Sequence, residues 1–165
     1  MSTLSVRHFT RCPYSRARQA LEQALAAVAD LPQAQTLTLS LPLGKDEAAG
    51  ALRKDVIVSY ARGADPKHFD QPWTIHWTPT PGGVYPDFNG ELTVRAADEH
   101  SNCFLELQGA YTPPLGPIGS AFDVAIGQRI ASATGAQLLA TIGDAMEREY
   151  QREEAAKRPN PKADL

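Results

Sequence analysis

The histidines and cysteines of this chain, His8, His68, His76, His100, Cys12 and Cys103, are the first side chains to weigh for nucleophilic, acid–base or metal chemistry. Spacing decides what each can do. The histidines form no HExxH pattern, and only His68 and His76 lie near each other in sequence, so no metal site is expected. The cysteines belong to no CxxC pair, which excludes a zinc ribbon and a thioredoxin-type motif and leaves two free thiols in a reducing compartment. A nucleophilic cysteine needs a neighbouring base, and no sequence feature supplies one for Cys103 or for Cys12, just before Pro13. Both read as idle thiols.

His76 is opposite in phase to Trp73 and Trp77 and should face solvent. His8 shares phase with Leu4 and Val6, which makes it the better candidate for a polar group inside, as a satisfied core or rim histidine ahead of an acid or base. Glu91, Glu106 and Asp98 fall out of phase with the apolar faces or in turns, so no pair of carboxylates converges and a solvated surface is expected. Gly116, Pro117, Ile118 and Gly119 make a poor phosphate loop, because prolines remove backbone donors an anion would need. Gly82 and Gly83 read as a turn. No cofactor is expected.

The elements that must position these groups follow from hydrophobic period. Residues 4–9 read as a strand, and 13–29 as a helix rich in Ala, Leu, Gln, Glu and Arg, with Pro13 tolerated at its start and 30–32 ending it. Alternation with a period of two marks strands at 37–43 and at 55–61, its expected partner. In 55–61, Val56, Val58 and Tyr60 share one side. In 72–78, Trp73, Ile75 and Trp77 alternate with Thr74, His76 and Thr78. The prolines and glycines of 79–90, ending in Asn89-Gly90, predict a loop or hairpin connection. Strands at 91–96 and from 103 to between 108 and 111 follow, joined by a turn at 98–102.

The block 112–119, with three prolines and two glycines, can continue neither a ladder nor a helix. A helix starts afresh near 120 and runs to about 157, which at 1.5 Å per residue approaches ~57 Å and must overhang a sheet of ordinary strands. Turning about 100° per residue, Val124, Gly127, Ala131, Gly135, Leu138, Ile142 and Met146 fall on one face, and Phe122, Ile126 and Ile130 on another. Interior glycines at 127, 135 and 143 each cost about 1 kcal/mol against alanine, which suits either a hollow beside the helix or tight packing on a strand.

LELQGAYTPPLGPIG at 105–119, followed by Asp123 and GQRIASAT at 127–134, resembles the last strand and helix start of bacterial SRPBCC-type proteins of the START and polyketide-cyclase superfamily. The resemblance covers roughly residues 4–150. It implies an α+β helix-grip fold, a curved antiparallel sheet wrapped around a long C-terminal helix, as one domain over 1–158 with a flexible tail at 159–165. It also implies a cavity between sheet and helix for an apolar small molecule, lipid-like or aromatic. That superfamily shares no catalytic residue set, so none carries over.

Tyr60, Trp73, Trp77 and Phe122, with His8, are the candidate cavity residues: large and apolar, or polar and in phase with a buried face. Taken singly, each also fits plain core. Arg95 and Arg129 have the chemistry of polar anchors at a cavity mouth and equally of surface charge. Three functions remain open: a carrier of a small hydrophobic ligand, a cyclase-like or aromatase-like enzyme in which His8 or Tyr60 moves a proton, and a filled-core interaction module acting through Phe122, Ile126 and Ile130 or the charged overhang, with a homodimer as one form of it.

Composition bounds these readings. The chain has 165 residues, 42% hydrophobic, with a formal net charge of -3. That length suits one domain with a real core. Scattered Lys and Arg, without a basic stripe, argue against a nucleic-acid partner. No run approaches the ~18 apolar residues of a membrane span and no leader pattern is visible, so the cytoplasm is the expected address.

Overall fold

The computed structural model describes residues 2–29, 35–41, 52–62, 72–79, 86–97, 101–112 and 121–158, with side chains for all of these except 27–29, 35–41, 52–54 and 121–126. The expected helix stop at 30–32, the block 113–119, the tail 159–165, His68, His100, Asp98, Gly82 and Gly83, and the Phe122 side chain lie outside the described residues.

Eight elements follow in chain order: β1 (Ser2–Thr10), α1 (Tyr14–Ala29), β2 (Gln35–Leu41), β3 (Leu52–Arg62), β4 (Trp73–Pro79), β5 (Asp87–Ala96), β6 (Cys103–Thr112) and α2 (Ala121–Lys157). The strands form one antiparallel sheet in the order β1-β6-β5-β4-β3-β2. Laid flat, six strands spaced about 4.8 Å apart would span about 24 Å, roughly twice the width of a helix. Yet α2 touches β1 and β6 at one side of the sheet and β2 at the opposite edge. The sheet therefore curves around α2, and the architecture is an α+β helix-grip fold.

Period two decides which face turns inward. Leu4 and Thr10 on β1 are buried while Thr3, Ser5, Arg7 and Phe9 are exposed, and Trp73, Ile75 and Trp77 on β4 are buried against exposed Thr74 and His76. Pro13 accepts the first helical bonds of α1 from the Arg16 and Ala17 amides at 2.8 Å, so a residue without an N–H of its own stands where none is needed. Ala17, Ala20, Leu21 and Leu25 are the buried face of α1, which packs on α2, β3 and β5. An ion pair from Arg16 to Glu153 at 2.6 Å joins α1 to the far part of α2, and Arg62 pairs with Glu22 between β3 and α1.

The α2 face read from the sequence is the one that is buried: Gly127, Ala131, Gly135, Leu138, Ile142 and Met146 all face inward. A Cβ at Gly135 would lie 2.8 Å from Val6 Cγ2, and one at Gly143 would lie 2.8 Å from His8 Cδ2 and 2.9 Å from Thr10 Oγ1. At these two positions the glycines serve tight packing of helix on strand, not a hollow.

Several boundaries shift: β2 and β3 begin two and three residues earlier than expected, β6 takes in Thr112, and the largest departure is at the start of β5. Residues 87–90 belong to β5, where Gly90 is the ladder partner of Gly109 on β6. Asn-Gly favours a turn locally, but here the missing side chains let the Phe88 ring cover both glycines, and packing across the sheet overrides the local preference.

Candidate functional site

Tyr60, Trp73 and Trp77 stand together on the concave face of β3 and β4. The register sets Tyr60 opposite Ile75, Trp77 between Val58 and Phe88, and Trp73 between Arg62 and Leu92. Trp77 is fully buried and stacks on Phe88 with ring centroids 4.0 Å apart and planes 16° apart. Its Nε1–H donates to the Pro86 carbonyl at 3.1 Å. A committed N–H and a stacked face make Trp77 a fixed wall. Trp73 is 9% exposed and Tyr60 is half-buried beside the fully buried Val58, so accessibility rises along the wall toward these two. Burial pushes the Tyr60 phenol up to about 12. It stays protonated near neutral pH, a hydrogen-bonding group that does not act as a base.

His8 faces inward on β1, as its phase indicates, and is half-buried with its ring against α2 at Gly143. Four strand spacings separate β1 from β3 in the sheet, about 19 Å along it. His8 and Tyr60 thus belong to different parts of the sheet. Among the described residues, no group of three or more His, Cys, Asp or Glu converges in a way that could hold a metal.

Both thiols are fully buried. Burial, then the Glu147 carboxylate, pushes Cys12 up to about 11. Burial, then Cys12 and Glu147, pushes Cys103 up to about 12. Neither is a thiolate at neutral pH, in keeping with idle thiols. His76 is exposed, as expected, with Asp87 at 3.7 Å.

Glu106 corrects the solvated-surface expectation. It lies on the outer face of β6, out of phase with Leu105 and Leu107, yet is only 6% exposed. Arg7 on β1 and Arg95 on β5 both donate to it, Arg95 at 2.6 Å, and Arg7 also lies over the Phe104 ring, 5.1 Å from its centroid. Burial alone would raise the Glu106 carboxyl; the hydrogen bonds and charges of Arg95 and Arg7 outweigh it and hold the carboxyl below the usual range. Arg95 therefore serves this outer cluster and no cavity mouth, while Arg129 is exposed. Outward phase was readable for all three residues; only strand order brings them together.

Ile130, offered with Phe122 and Ile126 as an exposed interaction face, is 8% exposed. The extra apolar arc at that position belongs to the core. Two further polar groups stand out only in the structure: Thr10, fully buried with no hydrogen-bond partner for its Oγ1, and Glu147, whose Oε1 accepts the Arg11 amide at 2.7 Å. The phase of Leu4, Val6 and His8 pointed to Thr10, but the reach from α2 to residue 11 has no local signal.

The sheet order, the inward aromatic wall and the gripped helix define the class: an α+β helix-grip protein. No family model and no curated protein matches the chain. Among solved structures it is similar to a protein from Thermus thermophilus at 11% identity, TM-score 0.48, covering 95% of this chain and 100% of that one. It is similar also to Ara h 8.0201, at 11% identity, TM-score 0.46, covering 92% and 98%, and to a conserved protein from Geobacillus kaustophilus, at 12% identity, TM-score 0.46, covering 92% and 97%. No helix among the described residues is long and apolar enough to cross a membrane.

Proposed function

We propose that this protein binds a small hydrophobic molecule, lipid-like or aromatic, between the concave face of β3–β4 and the first half of α2. The observation that supports this reading is an asymmetry in how α2 is held. Gly135 and Gly143 draw it tight onto β1, whereas among the described residues its other main sheet contacts are to β6 and the far edge strand β2. Space for a ligand is therefore sought at the Tyr60 and Trp73 end of β3 and β4, with Trp77, fully buried, as the fixed wall behind them. Burial of apolar area at roughly 25 cal/mol per Å² supplies the affinity, and the protonated Tyr60 hydroxyl supplies a polar contact for orientation. Phe122, at the start of α2, is the fourth proposed contact; His8, packed against Gly143 on β1, stands apart from this space and is proposed only as a polar group at its β1 side for a ligand long enough to reach it.

Native mass spectrometry of protein purified from its own host, followed by organic extraction, tests the reading. A stoichiometric apolar ligand is expected. A protein that carries nothing and shows no thermal shift with a panel of fatty acids, sterols and aromatic polyketides overturns it.

A further inference from the structure

We propose that the open edge of β1 is a dimerisation surface, on which β1 pairs antiparallel with β1 of a second copy and the two sheets continue through a twofold axis at Val6. β1 is the first strand of the sheet, paired with β6 on one side only. Among the described residues, no strand and no backbone hydrogen bond meets its other side. A row of unpaired amides and carbonyls is a template for another strand, and natural edges are blunted by shortness, a bulge, a proline or an outward charge. β1 carries none of these guards. It runs nine residues without a proline, and its register with β6 is unbroken from Ser2 opposite Tyr111 to Thr10 opposite Cys103. Arg7, the charge that could guard it, is drawn toward β6, where it donates to Glu106 and lies over the Phe104 ring. Phe9 leaves an aromatic ring 45% exposed on the outer face, edge-on to Phe104 with centroids 5.6 Å apart. Val6 and His8 point inward yet stay half-buried, so α2 leaves the edge side of the inner face open as well.

The occupant is a second copy because β1 matches itself. A sheet that continues with the same face inward pairs inward residues with inward and outward with outward, so the axis must pass through a residue and not between two. With Val6 on the axis, all nine residues of β1 find a partner. On the outer face Ser5 then stands opposite the partner's Arg7 and Thr3 opposite the partner's Phe9, which gives each guanidinium a hydroxyl acceptor and each ring a methyl neighbour. On the inner face Val6 meets itself and Leu4 stands opposite the partner's His8. The neighbouring registers are worse. An axis at Arg7 sets two cations directly against each other, and an axis at Ser5 leaves Phe9 and Thr10 beyond the end of the partner strand. The interface is isologous and closes at two copies.

Sedimentation velocity of the full chain from micromolar to submillimolar concentration tests this. The expected result is a reversible dimer of twice the 17.8 kDa chain mass and nothing larger. Ser5 is exposed on the outer face, so substitution there leaves the core untouched. Ser5→Arg sets a cation opposite the partner's Arg7 at two symmetric places and should weaken the dimer, while Ser5→Glu sets an anion there and should tighten it. Each shift in dissociation constant should be about twofold to thirtyfold, the range of two cross-strand charge pairs. A monomer throughout overturns the proposal. So does a dimer that either variant fails to move in the stated direction, which puts the interface elsewhere, and so does growth past the dimer, which marks head-to-tail pairing with the β2 edge. Hydrogen exchange on the wild-type chain gives a reading that needs no variant to fold: the edge-side amides of β1 should slow as the dimer fills, and unchanged exchange there overturns the proposal. The outcome is independent of whether a ligand occupies the concave face.

Discussion

Gly90 faces Gly109 across the β5–β6 ladder with the Phe88 ring laid over both. A Cβ at Gly90 would meet the Gln108 carbonyl, and one at Gly109 the Asn89 carbonyl, so backbone as well as ring excludes any side chain. Alanine at either position should cost about 3 kcal/mol or more, at the upper end of overpacking. Urea unfolding measures it. Adding Phe88→Ala should not restore the loss, because the carbonyl contact remains; full rescue would show that only the ring matters.

Gly135 and Gly143 behave differently because their neighbours are side chains. Alanine gains about 1 kcal/mol in helix propensity, against about 1–3 kcal/mol for forcing a methyl onto Val6 or the His8 ring. Gly135→Ala should be destabilising alone and less so in a Val6→Ala background. A double-mutant cycle is expected to give a favourable coupling of about 1 kcal/mol, and additivity would contradict the tight contact.

Glu106 should leave a signature in acid. Its folded carboxyl titrates below its unfolded value, so its contribution is present in full above the unfolded value near 4.3 and is lost as pH falls through the lowered folded value. Glu106→Gln should remove that part of the acid-side loss and cost about 2 kcal/mol at pH 7, the scale of charge-assisted hydrogen bonds to partly solvated arginines. Stability measured from pH 3 to 7 tests both; parallel wild-type and variant curves would refute the assignment.

Trp73 and Trp77 should report different surroundings. With Trp77 sealed by Phe88 and Pro86, the Trp73→Phe protein should resist acrylamide quenching more than the Trp77→Phe protein. A ligand on the concave face should alter Trp73 emission more than Trp77 emission. Trp77→Phe also leaves the Pro86 carbonyl without its donor and should lose about 1–3 kcal/mol.

Tyr60→Phe isolates the polar contact of the binding reading. Removing one neutral hydrogen bond of about 1 kcal/mol should weaken a ligand that uses the hydroxyl about fivefold, with little effect on a pure hydrocarbon. Titration with a matched pair, a fatty acid or phenol and its hydrocarbon analogue, separates the two. Equal losses for both would assign Tyr60 to core packing.

Much of the frame is legible in the residues. Alternation in Trp73-Thr74-Ile75-His76-Trp77 fixes an inward aromatic row because side chains on a strand point to opposite faces, and 3.6 residues per turn aligns Ala131, Gly135, Leu138 and Ile142 as the buried stripe of α2. The boundary at 87–90 was not legible, since Asn89-Gly90 satisfies a turn and a ladder equally well until Gly109 is known to stand opposite.

Local periodicity and the removal of apolar surface from water are enough to set the class of each element, the inward placement of His8, Tyr60, Trp73 and Trp77, and the burial of the helix stripe. Only the folded sheet brings Arg7, Glu106 and Arg95 into one cluster and sets His8 and Tyr60 four strand spacings apart. Those relations join residues as much as 99 positions apart, and the strand register that sets them depends on how the whole sheet closes around α2, which no local pattern encodes.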